Sequence, residues 1–163
     1  MIRVLFVCHG NICRSTMAQY VLEHLVHEQG LQDCFLIDSA ATSREEIGNG
    51  VHPGTARMLK KQGVPCGNHR ARRIRSSEAD DWDLIVGMDR ANMSNLRRML
   101  PASAHGKLRK MLEFTGSSRD VADPWYTGDF QATYDDVLAG CQGLLLELEQ
   151  TGAFKAQLKN KAR

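Results

Sequence analysis

No apolar run in the chain approaches the length needed to span a membrane. Charge of either sign is scarce in excess, with 21 Lys and Arg against 19 Asp and Glu and a net charge of +2. That balance is too weak to argue for nucleic acid or a membrane surface as partner. No secretory signal is read at the start, because polar and charged residues follow Cys8 at once. The expectation is a cytoplasmic protein. No internal repeat, low-complexity tract or linker interrupts the sequence, so its 163 residues are expected to form one domain, 1–163. The five cysteines, an odd number, fit no zinc spacing, and Cys8 and Cys13 do not form a C-x-x-C pair. Neither a metal site nor a disulfide framework is expected; free thiols are.

What is present is an ordinary globular composition, 42% hydrophobic and 25% charged, enough for one core. Residues 2–7 form a β-branched and aromatic run, read as a buried strand. Residues 16–29 carry a helical stripe (Met17, Val21, Leu22, Leu25, Val26) closed by Gly30. Strands follow at 35–41, 84–88 and 107–114, the last weakened by its charges. Helices are expected at 53–62, with Pro53 in its first turn, at 89–100, halted by Pro101, and at 130–150. The segments 42–50 and 116–129 read as loops, and 155–163 as a basic tail that frays. Alternating strands and helices imply an α/β fold, a parallel sheet with helices on both faces. In such sheets ligands sit at the carboxyl ends of strands, near the switch in strand order.

The loop leaving the first strand holds the chemistry. It runs Cys8-His9-Gly10-Asn11-Ile12-Cys13-Arg14-Ser15, with Arg14 six residues after Cys8. Backbone amides of a tight loop can converge on an anion. Gly10 permits conformations that other residues resist, and Asn11 tolerates left-handed geometry. The following helix adds its positive end. Arg14 can hold two phosphate oxygens at once. The same positive field favours a thiolate at Cys8, and Ser15 can donate its hydroxyl to that sulfur. A Walker loop is excluded, since the lysine and second glycine of G-x-x-x-x-G-K-[ST] are missing, as is the dinucleotide fingerprint.

Phosphate-ester cleavage also needs a proton donor. Asp123-Pro124-Trp125-Tyr126 supplies a carboxylate in a stiffened loop with two aromatics beside it. The same residues would suit a turn whose Trp and Tyr cover a core edge, and spacing alone leaves both readings open.

With both segments in view, the chain resembles a low-molecular-weight protein tyrosine phosphatase over residues 2 to 150, and Ile37-Asp38-Ser39 and Gly87-Met88-Asp89 add to the likeness. The resemblance implies a four-stranded parallel sheet with flavodoxin-like winding. It implies Cys8 as nucleophile, Arg14 as phosphate clamp and Asp123 as general acid and then base. It implies a phosphate cradle of His9, Gly10, Asn11, Ile12, Cys13, Arg14 and Ser15, supported by a network of Asn11, Ser15, Ser39 and His69. Trp125 and Tyr126 become substrate walls. Cys13 becomes a partner that protects Cys8 through a reversible disulfide. Neither cofactor nor metal is implied. Partners would be phosphotyrosine proteins or small aryl phosphates, and the molecule a monomer or weak homodimer.

Several positions depart from the family pattern. Thr16 stands where proline is frequent and His9 where leucine often is. Ser43-Arg44-Glu45-Glu46 replaces an aromatic rim found in some members. Ile12 stands where relatives acting on phosphoarginine tend to carry threonine, which favours phosphotyrosine. A thiol-dependent arsenate reductase of the same fold and a non-catalytic phosphotyrosine-binding module are the competing readings. Cysteine is absent between Gly67 and Gly140, which counts against a reductase relay. Arg70, Arg72, Arg73 and Arg75 read as a solvated helix start in preference to a docking site for an acidic partner. Cys34, Cys66 and Cys141 read as small hydrophobes in or near the core, and the methionines as core. His24 and His27 read as surface residues, and His52 and His105 show no partner pattern.

Overall fold

The computed structural model describes residues 1–154, so the basic tail expected at 155–163 lies outside the described residues. The first strand, β1 (Ile2–Cys8), is buried from Val4 onward. Val4 and Phe6 enter one apolar cluster and Leu5 and Val7 another on the opposite face. A strand buried on both faces shows as an unbroken apolar run instead of an alternating one. Truncating Phe6, wholly buried, to alanine should cost about 3–5 kcal/mol.

β1 is central. It pairs in parallel with β2 (Phe35–Ala41) on one edge and with β3 (Leu84–Gly87) on the other. A short β4 (Leu108–Lys110) adds in parallel to β3, giving the order β2-β1-β3-β4. Helices α1 (Arg14–Glu28), α2 (Pro53–Lys61) and α5 (Phe130–Gln150) cover one face, where Met17, Leu22, Leu59, Val137 and Leu144 join Val4 and Phe6. Helix α3 (Arg90–Met99) covers the other, setting Met93 and Leu96 against Leu5, Val7 and Ile85. This is the four-stranded, doubly covered parallel sheet expected from the sequence. The strand order reverses between β1 and β3, so the loops leaving both strands open on one crevice. Among the described residues, no helix is long and apolar enough to cross a membrane.

Several local expectations are corrected. The fourth strand was expected over 107–114 but ends at Lys110; Met111–Thr115 turns instead into a 3-10 segment. Gly140 and Gly143 of α5 explain the turn. A Cβ on Gly140 would collide with Met111, and one on Gly143 with the Phe114 carbonyl. The turn therefore packs directly on the helix backbone, out of the sheet. The loop expected over 116–129 contains one helical turn, α4 (Pro124–Thr127).

The arginine run is not a helix start. Arg73 bridges Ala41 in parallel, with Ala41 donating its amide to the Arg72 carbonyl and Ile74 donating to Ala41. The segment extends the edge of β2, and a 3-10 turn follows only at Ser76–Asp81. Arg72 is drawn in by two carboxylates, Glu78 six residues on and Asp38 far off in sequence. It donates to Glu78 through both terminal nitrogens at 2.9 Å and to Asp38 at 3.1 Å. Cys34 and Cys141 are buried as expected, but Cys66 lies at the surface, as does Met1.

Candidate active site

Cys8 ends β1, and the following loop turns back at Asn11, which has φ 60°. The left-handed residue is thus Asn11 and not Gly10. A Cβ at Gly10 would instead press on Glu46 Cγ at 3.2 Å, so that glycine makes room for the cavity rim. Asn11 is fully buried, and the Arg72 amide fixes its amide orientation, since an N–H can only donate to Oδ1 (3.3 Å). His69 Nε2 meets the same Oδ1 at 2.7 Å and therefore carries its proton there. Burial, with Arg72 nearby, holds the His69 imidazole below its ordinary value despite the opposing pull of Asp38. Asn11 Nδ2 donates to Ser15 Oγ at 2.8 Å and Ser39 Oγ at 2.9 Å, and Ser39 donates onward to Gln19. Ser15 Oγ also accepts from the Cys8 thiol, 3.1 Å away, and its own hydrogen can turn to that sulfur once Cys8 is a thiolate. The Asn11 amide also donates to that sulfur, at 3.3 Å.

The loop's carbonyls are claimed from outside. Thr42 and Ser43 amides donate to Cys8 and His9, the His52 amide to Ile12, and the Thr55 hydroxyl to Cys13. Thr16 donates its hydroxyl to the Ile12 and Cys13 carbonyls at 2.9 and 3.1 Å. It anchors the loop to the first turn of α1.

Arg14 opens α1 and is almost wholly buried. Nη1 donates to Asp89 Oδ2 at 2.7 Å and to the Val121 carbonyl at 2.9 Å; Nη2 donates to Asp123 Oδ2 at 3.3 Å. Burial works against its charge, but Cys8, Asp89 and Asp123 outweigh that and raise its basicity. Asp89 is itself fixed as the N-cap of α3, accepting from the Asn92 amide at 2.7 Å. The Val121 amide donates to the Met88 carbonyl just past β3, which hangs the late loop on the sheet. Asp123 then caps α4 through the Trp125 amide at 3.0 Å.

These pieces enclose a cavity of about 100 Å³ lined by Cys8, Ile12, Cys13, Arg14, Asp123 and Trp125, with Tyr126 and the carboxylates Glu45 and Glu46 at its mouth. Against about 30 Å³ per molecule of liquid water, that space suits a single phosphoryl group. Trp125 and Tyr126 are 57% and 83% exposed, so they stand up from the surface as walls and do not cover a core edge. Glu45 reaches across to His9 Nε2 at 3.0 Å. Burial, together with the charges of Cys8 and Asp123, pushes the Cys13 thiol up to about 12, so it stays protonated at neutral pH.

A model of the low molecular weight phosphotyrosine protein phosphatase family matches residues 3–158. The chain belongs to this family. It is 36% identical over 152 residues to the low molecular weight protein-tyrosine-phosphatase YfkJ of Bacillus subtilis, covering 92% of this chain and 97% of that protein. The crystal structure of YfkJ superposes with a TM-score of 0.89 over 93% of this chain and 96% of the other. The low molecular weight protein tyrosine phosphatase of Streptococcus pyogenes, SP-PTP, is 39% identical, with a TM-score of 0.82 over 91% and 93% of the two chains. The Drosophila arginine phosphatase DARP is 32% identical, with a TM-score of 0.82 over 90% and 97%.

Within this family fold, the sequence did not single out four contributors. Asp89 lies inside the Gly87-Met88-Asp89 likeness, and only its contact with Arg14 gives it a task. Gln19 takes the Ser39 hydroxyl, and Tyr20 accepts from the His69 amide at 3.0 Å. His52 caps α2 through Nδ1 at 2.9 Å, stacks on Phe130 with ring centroids 5.2 Å apart and meets Trp125 edge-on at 5.8 Å. It ties the walls of the phosphatase pocket to the Ile12 carbonyl, a link that no local pattern encodes.

Proposed function

We propose that the protein hydrolyses phosphotyrosine in two steps through a cysteinyl-phosphate. The Cys8 sulfur attacks phosphorus, and the aryl oxygen leaves with a proton from Asp123. Water then attacks phosphorus, Asp123 takes its proton, and the Cys8 thiolate departs. Ser15, with its hydrogen free for Cys8, stabilises that thiolate as it leaves. Arg14 and the backbone amides of the loop 9–15 hold the phosphate oxygens, and charge develops on them in the transition state. The mechanism needs no metal, because guanidinium and amides neutralise the phosphoryl charge.

The observation that carries this reading is the Arg14 guanidinium, joined at once to Asp89 and Asp123 beside the Cys8 sulfur. It brings acid, clamp and nucleophile to one cavity from distant parts of the chain. Ile12 gives the cavity an apolar wall beside Trp125, which supports an aryl ester as substrate. We also place the enzyme in the cytoplasm, where its thiols stay reduced. An arsenate-reductase relay is disfavoured, since such a relay passes through two accessible thiols downstream of Cys8 and, of Cys34, Cys66 and Cys141, only Cys66 is exposed.

The test is hydrolysis of p-nitrophenyl phosphate in EDTA by wild type and Cys8→Ser. Wild type should turn over, and Cys8→Ser should bind substrate without turnover. Turnover by Cys8→Ser would remove Cys8 from the nucleophile role. A DARP-like preference for phosphoarginine would show in a rate comparison of phosphotyrosine and phosphoarginine peptides.

A further inference from the structure

The rim loop 43–50 has two faces. Glu45 and Glu46 line the catalytic cavity, whereas their immediate neighbours Arg44 and Ile47 line a second groove with Arg73, Arg75 and Met99. Its lining residues include three arginines and no carboxylate. Arg44 and Arg75 are exposed, and Ile47 presents an apolar shelf at 55% exposure. Arg75 lies 3.8 Å from Glu78, but that carboxylate is already met by two bonds from Arg72 at 2.9 Å. Arg73 is steadied by donating Nε to the Thr42 carbonyl at 3.3 Å. The same arginine run that pairs with β2 therefore leaves cationic side chains beside the cavity mouth.

We propose that this groove docks an acidic segment of the substrate protein next to its phosphotyrosine, a reading that rests on the phosphatase activity above. Charge complementarity selects the occupant: the exposed guanidiniums of Arg44 and Arg75 attract carboxylates, and Ile47 with Met99 takes an apolar side chain between them. Arg44 and Glu45 are adjacent residues, so groove and cavity are separated only by the thickness of the loop. An extended chain advances about 3.3–3.6 Å per residue, which brings positions about two to five from the phosphotyrosine over the arginines. Exposed pairs of this kind contribute modestly, and their effect is expected in KM, not kcat.

The experiment compares p-nitrophenyl phosphate with two phosphotyrosine peptides, identical except that one carries Glu-Glu-Leu and the other Gln-Gln-Leu beginning two residues from the phosphotyrosine. Wild type should favour the acidic peptide at low salt, and 0.5 M NaCl should remove the preference. Arg44→Glu/Arg75→Glu should lower kcat/KM about five- to tenfold on the acidic peptide alone. The neutral peptide and p-nitrophenyl phosphate should be unaffected. Equal wild-type rates on the two peptides would overturn the docking, as would a loss on p-nitrophenyl phosphate in the variant. Sedimentation showing a wild-type dimer that the variant abolishes would assign the groove to a second copy and overturn it too. A wild type inactive on all three substrates would overturn the phosphatase reading itself, which separates that failure from a failure of docking.

Discussion

Replacing Asn11 with alanine should destabilise the protein by about 5–6 kcal/mol. The side chain is wholly buried and makes four hydrogen bonds: to Ser15, Ser39, His69 and the Arg72 amide. Each is worth about 1 kcal/mol net, and the groups left behind are buried with their partner gone. Alanine also inherits φ 60°, which for a residue with a Cβ and no local hydrogen bond costs about 1–2 kcal/mol. Asn11→Gly loses the same bonds but not that strain, while gaining up to about 1 kcal/mol of unfolded-chain entropy to overcome. It should therefore be as stable as Asn11→Ala or better by up to about 2 kcal/mol. Urea unfolding followed by tryptophan fluorescence reads this directly, since Trp82 is buried. Inhibition by inorganic phosphate should weaken in both variants, because the loop amides lose their fixed aim. An Asn11→Ala protein within about 1 kcal/mol of wild type would refute the network's role. One more stable than Asn11→Gly by that amount would refute the left-handed strain.

Three further outcomes test other parts of the site. Asp123→Asn should lower kcat by about 10²- to 10⁴-fold for alkyl phosphates and far less for p-nitrophenyl phosphate; equal losses across leaving groups would exclude Asp123 as the acid. Peroxide should oxidise Cys8 to a sulfenic acid that condenses with the Cys13 thiol, releasing water and leaving a disulfide that dithiothreitol reverses. Cys13→Ser should convert that loss into irreversible sulfinic and sulfonic acid, and mass spectrometry finding equal recovery in both proteins would remove Cys13 from protection. Burial alone would raise the Glu78 carboxyl, but bonds from Arg72, the Arg75 amide and Trp82 more than offset it and hold it below its ordinary value. That stabilisation is present above about pH 4.3 and is lost as pH falls through the lower folded value. The stability gap between wild type and Glu78→Gln should therefore narrow in that acid range, and a gap that widens would refute the pairing.

The loops proposed to carry the nucleophile and the acid were legible as candidates because each is compact in sequence. β1 was legible because burial on both faces leaves an unbroken apolar run. What escaped is what depends on a partner far along the chain. Asp89 bears on Arg14 from 75 residues away. Arg72 is claimed by Glu78 and Asp38, which turned an apparent solvated helix start into a sheet extension. The early end of the fourth strand depends on two glycines in α5 that admit the 3-10 turn. His52 looked partnerless because its capping bond, its stack and its wall contact are all tertiary or conformational.

The central place of β1 bears on the order in which competence can arise. The thiol loop leaves a strand that is flanked on both sides only once β3, beginning at Leu84, has joined the sheet. The guanidinium beside it waits longer still, for Asp89, Val121 and Asp123. A growing or truncated chain that stops short of Val121 would carry Arg14 without two of the three acceptors that aim it. Catalytic competence should therefore switch on abruptly with chain length, and no early fragment should hydrolyse phosphate esters on its own.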